Sequence, residues 1–255
     1  MEGLPRWIPY CGEAPGPEAW LTRWNLDPVL LAALAVAAVA LWHPAAWRDT
    51  ASKGRRRALC AAWLLVVLLY VSPLCALSSA FFTVRVVHHM ALVLFIAPLL
   101  AVGLEPWLRR LPAPLWTSTA LAALAFWVWH APGPYGAALS SVPVYALMQL
   151  TLAGGALAFW LAVRRAGPAP AIAAILVTTV QMGLLGALIT FAAQPLYEPH
   201  LASTLAWGVS PLEDQQLAGL TMWAPGSIAY LLAALAIGWR WMRADRTPAL
   251  GAGPA

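Results

Sequence analysis

Seven apolar stretches separated by short gaps make up most of this chain, and twelve of its fifteen Lys and Arg residues fall in every second gap. The stretches run roughly over residues 28–46, 58–78, 84–104, 114–130, 143–163, 170–193 and 216–240. Each has about the 20 residues that an α-helix needs to cross a hydrocarbon layer of about 30 Å. The runs are continuous rather than alternating, which argues against a strand barrel. The expected fold is an all-α integral membrane protein, a seven-transmembrane-helix bundle. The gap at 47–57 holds Arg48, Lys53, Arg55, Arg56 and Arg57, and later alternate gaps hold Arg109 and Arg110, Arg164 and Arg165, then Arg240, Arg243 and Arg246. Short loops rich in Lys and Arg stay cytoplasmic. The N-terminus is thus expected outside and the C-terminus in the cytoplasm.

With 62% hydrophobic and 10% charged residues and only short loops, the chain has room for one membrane domain. The expected divisions are an external interfacial segment over 1–27, a seven-span domain over 28–243 and a disordered cytoplasmic tail over 244–255. Residues 1–27 carry Glu2, Glu13, Glu18 and several prolines without an apolar core, so no cleavable signal peptide is read there. Trp7, Trp20 and Trp24 are expected to rest that segment on the membrane. The basic balance could suggest nucleic acid, but sorting charge by side removes that reading. Twelve basic and three acidic residues give +9 inside; three basic and seven acidic give −4 outside. The excess is topological and also suits anionic lipid headgroups. The mildly acidic outer face suits a cationic ligand.

The three cysteines do not make a disulfide framework. Cys60 and Cys75 lie at opposite ends of one span and cannot bridge. Cys11 and Cys75 share the outer side, so a pair is available but unforced. The plainer reading is two buried small hydrophobes and one exposed thiol.

Polar groups within spans are the place to seek chemistry, because lipid penalises them. The densest case opens span three, Arg85-Val86-Val87-His88-His89-Met90. Positions 85, 88 and 89 share a helix face. A guanidinium one turn away favours neutral imidazoles able to coordinate. Adjacent histidines point about 100° apart, so the pair would serve one site from its edges, unless one caps a carbonyl while the other packs. His130 ends span four beside Trp127 and Trp129, where an interfacial histidine is the plain alternative. His200 sits in the outer loop 194–215, where a solvated loop histidine is the plain alternative. His43 lies at the opposite end and is set aside.

The last span opens with Ser210-Pro211-Leu212-Glu213-Asp214, in which Ser210 and Glu213 fit a helix-capping box. Asp214 is less accounted for. Met222 lies deeper on the same face, as a soft ligand or a core-filler. Pro225 is expected to kink this span. Gln149 and Gln181 are expected to bond between helices, and Gly154, Gly155, Gly183 and Gly186 to allow close packing. No Asp, Glu or Lys lies mid-span, which argues against a proton-coupled transporter. No nucleotide loop, zinc-protease motif or nucleophile with a matching base is present. The chain is read as no enzyme.

These segments resemble the multi-spanning CtaG-type assembly factors of haem–copper cytochrome c oxidases. The resemblance is carried by Tyr10-Cys11-Gly12, Arg23 to Pro28, Arg85 to Met90 with Ala97-Pro98-Leu99-Leu100, Trp129 to Pro132 with Tyr135, and Gln181 to Ala187. The most specific part is Leu212-Glu213-Asp214-Gln215-Gln216-Leu217-Ala218-Gly219, leading to Met222-Trp223-Ala224-Pro225-Gly226. It implies a role in maturing the oxidase at a bacterial inner membrane, supporting copper delivery to its catalytic subunit. The implied partners are that subunit, the lipid bilayer and a periplasmic copper donor. One departure is visible: where relatives carry His near the start of span five, this chain has Val144, Tyr145 and Met148. Residues and resemblance together predict a Cu(I) site at the outer ends of spans three and four. His88, His89 and His130 are its expected ligands, His200 and Met222 weaker members, and Arg85 and Asp214 groups that orient or tune them. A metal-free scaffold chaperone for the nascent subunit and a haem- or quinone-handling protein are the alternatives.

Overall fold

A computed structural model describes residues 7, 9–43 and 50–245. Residues 1–6, the start of the 47–57 connection and the tail from 246 lie outside the described residues. Among the described residues the structure is helical, with no strand. The helices are α1 (Pro28–Trp42), α2 (Thr50–Tyr70), α3 (Leu74–Ala80), α4 (Phe82–Ala91), α5 (Ala97–Gly103) and α6 (Glu105–Leu108), then α7 (Leu115–His130), α8 (Pro132–Ser140), α9 (Val142–Arg165), α10 (Pro168–Thr190) and α11 (Pro211–Asp245). Proline opens many of them, at the first or second position of α1, α5, α6, α8, α9 and α10 and the first of α11. There its missing N–H is one that no helix would use, and its fixed φ already fits.

Among the described residues, fewer than the seven expected spans reach full length. Four helices are long and apolar enough to cross a membrane: Phe82–Gly103, Val142–Arg165, Pro168–Thr190 and Pro211–Ala244. Lys53–Tyr70 and Leu74–Ala80 make a fifth if counted together, bent by 50°. The stretch read as one span over 58–78 breaks at Ser72-Pro73, because a residue before proline avoids the helical region and proline cannot continue the ladder. α1 and α7, at 15 and 16 residues, fall short of a full crossing. The loop expected after His130 is instead the short helix α8.

The Phe82–Gly103 helix changes gait midway. Residues Leu92–Ile96 form a π-turn, in which Ala97 N–H reaches back to the Leu92 carbonyl. Pro98 has no N–H, so the Val93 carbonyl has no backbone donor left in the next turn. The indole Nε1 of Trp160 donates to it at 2.8 Å, satisfying a carbonyl that would otherwise be orphaned in the core. Pro225, expected to kink the last span, lies inside α11, which runs on as one helix past it.

α10 and α11 pack most closely where two glycines meet. A Cβ on Gly219 would lie 2.6 Å from the Gly186 carbonyl oxygen and 2.7 Å from the Thr190 nitrogen; one on Gly186 would lie 2.8 Å from the Gly219 oxygen. Only hydrogen fits between these backbones, as in small-residue membrane interfaces generally. Gly183 is different, with nothing nearer than 3.5 Å to its Cβ position. Outward, the bundle shows Val29, Leu150, Phe191 and Leu235, each at least two-thirds exposed, an apolar surface suited to lipid.

The cysteines correct the sequence reading: Cys11 and Cys75 form a disulfide. It ties the N-terminal segment to the break between α2 and α3. Asn25 reinforces the tie, giving its N–H to the Val71 carbonyl and its side-chain amide to the Tyr70 carbonyl, which closes the end of α2. Tyr10 stacks on Tyr145 at 5.2 Å, Trp20 packs on Trp207, and the Trp7 ring lies over Gly136. The segment therefore lies on the bundle's own end, with Trp24 left exposed. This is the histidine end; the opposite one, holding Arg109, Arg110, Arg164 and Arg165, is the arginine end.

Candidate functional site

The start of α4 is held by another helix. It has no capping side chain of its own. Asp214 of α11 supplies the cap, its carboxylate accepting from the N–H groups of Phe82 at 2.7 Å and Thr83 at 3.2 Å. The Thr83 hydroxyl returns a bond to the Asp214 carbonyl at 2.7 Å. A carboxylate at a helix N-terminus also meets the positive end of the helix dipole. Asp214 thus positions the helix that carries Arg85, His88 and His89, rather than tuning the histidines directly. Its neighbours divide other tasks. Ser210 and Glu213 form a reciprocal capping box, Oγ accepting from Glu213 N–H at 3.2 Å and Oε2 from Ser210 N–H at 2.9 Å. Gln215 stitches the outer loop, accepting from Leu196 N–H at 2.6 Å and donating to the carbonyls of Ile189 and Gln194.

The adjacent histidines part company. His88 points toward α2, with Nε2 2.6 Å from the Leu69 carbonyl and Nδ1 3.2 Å from that of Val84, its ring edge-to-face with Tyr70. Both nitrogens face backbone carbonyls, so His88 ties α4 to α2 and its ring nitrogens are turned away from His89 and His130. His89, one residue and about 100° on, is buried with neither ring nitrogen hydrogen-bonded. Its ring meets that of His130 at 5.3 Å, edge to face. His130 is placed by α7, where its Nδ1–H donates to the Phe126 carbonyl at 2.7 Å. That bond fixes the tautomer and leaves Nε2 with a free lone pair, and Nε2 has no partner. Metal-binding histidines show this same pattern, one nitrogen anchored and the other bare.

Arg85 is fully buried. Its Nη1 donates to the Tyr145 hydroxyl at 3.0 Å, its guanidinium lies 5.3 Å from that ring, and Nε and Nη2 have no hydrogen-bond partner. Tyr145 therefore anchors Arg85 and touches Cys11 of the disulfide at 4.0 Å. Met148, named with it, is also buried.

His200 does not join the pair. Nδ1–H donates to the Ala80 carbonyl at 3.2 Å and Nε2 accepts from the Tyr135 hydroxyl at 2.6 Å, so both nitrogens are used. It belongs to an aromatic box with Phe82, Tyr135 and Tyr197, in which Phe82 and Tyr197 stack at 3.7 Å. The Tyr197 hydroxyl donates to the His130 carbonyl at 2.8 Å, linking this box to the site. Burial pushes the His200 pKa down to about 3, the charge of Arg85 acting the same way and the Ala80 bond opposing both. In the unfolded chain the ring titrates near 6.5. Between those values the unfolded chain binds the extra proton, so stability falls as pH drops, by about 1.4 kcal/mol per unit at most. Thermal unfolding in detergent at pH 7 and pH 5 should show a larger acid-induced loss for the wild type than for His200→Gln. Equal losses would contradict the assignment.

Met222 is buried on α11, one turn outward of Gly226, where the methyl ends of Met90 and Met182 converge. The disulfide removes Cys11 and Cys75 from any soft-ligand set. Among the described residues no three His, Cys, Asp or Glu side chains gather as a metal group. What the structure brings together is the His89–His130 pair beside Arg85. At the same end of the bundle, a cavity of about 260 Å³ is lined by Trp7, Pro132, Gly136, Ser140 and Glu198, among others.

No curated protein and no solved structure matches the chain. A family model described as cytochrome c oxidase caa3 assembly factor matches residues 35–244, from the middle of α1 to the end of α11 and so across every helix that builds the histidine pair. This helical membrane chain belongs to the CtaG-type caa3 cytochrome c oxidase assembly factors.

Proposed function

We propose that this assembly factor holds one Cu(I) ion between His89 and His130 and passes it to the catalytic subunit of the oxidase on the periplasmic side of a bacterial inner membrane. The carrying observation is the pair itself: two buried imidazoles from different helices, three ring nitrogens without partners, and a tautomer already set at His130. Metal–imidazole bonds of about 2 Å allow one ion to span rings 5.3 Å apart. Cu(I) accepts few, soft or borderline ligands, which two imidazoles can supply. Arg85, one helical turn from His89, makes each added positive charge costly, which favours a monovalent ion over a divalent one. Two features support the outward orientation. The arginine end matches a cytoplasmic face, and disulfides such as Cys11–Cys75 persist in oxidising compartments. The role is one of binding and transfer, with a periplasmic donor supplying the ion.

The edge-to-face contact of His89 and His130 leaves no slot for a planar macrocycle, which weighs against axial haem ligation. Anaerobic Cu(I) titration of the purified full chain tests the reading. Micromolar or tighter binding of one ion is expected, lost in His89→Ala with His130→Ala and kept, within about threefold, in His200→Gln. Absence of binding by a monodisperse wild-type sample would sink the copper reading and leave a metal-free scaffold.

A further inference from the structure

At the arginine end, α1, α2 and α5 enclose a cavity of about 500 Å³ with apolar walls that include Leu34, Ala37, Leu41, Ala62 and Leu100. From Leu34 to Leu41 it runs along about 10 Å of α1, and Ala37 and Ala62 leave the space between the helices open. Trp107 forms one wall and also borders a second cavity, of about 420 Å³, with Pro106, Arg109 and Arg110. An apolar slot thus meets a cationic mouth at a single indole.

The four arginines at this corner are not equivalent. Arg164 is neutralised by Glu105 at 2.7 Å. Arg165 is spent on the carbonyls of Leu111 and Leu108, at 2.8 and 2.9 Å. Arg109 gives its Nε to the Pro106 carbonyl at 3.3 Å, and Arg110 makes no hydrogen bond or ion pair among the described residues. Both are exposed. Among the described residues the mouth therefore keeps two positive charges with no carboxylate paired to either.

We infer that this groove binds an anionic phospholipid, one acyl chain lying between α1, α2 and α5 and the phosphate at Arg109 and Arg110. A partner's transmembrane helix, 10–12 Å across with side chains, would need more room along this stretch of α1 than a cavity of about 500 Å³ offers, whereas a single hydrocarbon chain would not. Basic residues at the edge of the apolar layer select anionic headgroups. The inference is independent of copper.

Native mass spectrometry of the purified full chain, after exchange into mixed micelles with equal palmitoyl-oleoyl phosphatidylglycerol and phosphatidylcholine, tests it. One phosphatidylglycerol per chain should survive delipidation at least tenfold better than phosphatidylcholine. Arg109→Gln with Arg110→Gln should erase that preference, and Ala62→Phe should lower retention of both lipids. The arginines are exposed, so their replacement leaves the fold intact even if the groove variant does not fold. Equal retention of the two lipids, an unaffected double arginine variant, or a stoichiometric isoprenoid in the organic extract instead of phospholipid would each overturn the inference.

Discussion

Alanine at Gly219 should unfold a large share of this protein, while alanine at Gly183, on the neighbouring helix, should leave it intact or slightly more stable. The difference is geometric. A methyl group at Gly219 would face backbone atoms of Gly186 and Thr190 at 2.6 and 2.7 Å, and backbone cannot rotate aside. Overpacking typically costs 1–3 kcal/mol, and here about 3 kcal/mol or more is expected because α10 and α11 must separate along their length. Against a total stability of about 5–15 kcal/mol, that is severe. At Gly183 the nearest atom is 3.5 Å away, an ordinary contact, and alanine gains about 1 kcal/mol of helix propensity. Thermal unfolding in detergent and the yield of monodisperse protein measure both. Equal behaviour of the two variants would mean that the helices do not cross as described.

Asp214→Ala should do comparable damage by a different route. It strips the acceptor from the N–H groups of Phe82 and Thr83, one buried and one half-buried. Each donor left unsatisfied costs about 1–3 kcal/mol. Asp214→Asn keeps one acceptor oxygen and should lose roughly half as much. Because α4 carries Arg85 and His89, the alanine variant should also weaken the proposed copper binding at least tenfold where it still folds. Unfolding temperatures that rank wild type, Asn and Ala in that order are expected; an alanine variant as stable as the wild type would remove Asp214 as the cap of α4.

What could be read from the chain was local. Ser210 and Glu213 stand three residues apart, and a capping box is written in that spacing. Asp214 caps a helix whose capped residues lie 131 and 132 positions away, so nothing in its own neighbourhood declares the task. The split between His88 and His89 was legible, since neighbours on a helix point about 100° apart. Which of them turned toward α2 depended on where Leu69 would lie. The Cys11–Cys75 bond likewise needed the bend at Ser72-Pro73 and the folding-back of the N-terminal segment. Its partners were visible in the sequence, but their meeting was not. The bend in the second expected span had a readable cause: Ser72-Pro73 lies inside an apolar run, and hydropathy alone passed over it. Tyr145 and Tyr135 stood out in the sequence only through the resemblance, and their bonding roles went unread because aromatic residues at span ends are usually interfacial. Here they hold Arg85 and His200. Membership of the family gives the oxidase as partner, while the identity of any cargo rests on the His89–His130 geometry and its tests.

The π-turn at Leu92–Ile96 inserts one residue's worth of rotation, about 100°, between the half of the helix bearing His89 and the half beginning at Ala97-Pro98. A relative whose equivalent helix is unbroken needs one residue fewer over that interval. Superimposing two such chains without a gap would swing its imidazoles from the bundle axis toward the acyl chains, so homologues must be aligned by indel placement at this turn before their ligand sets are compared.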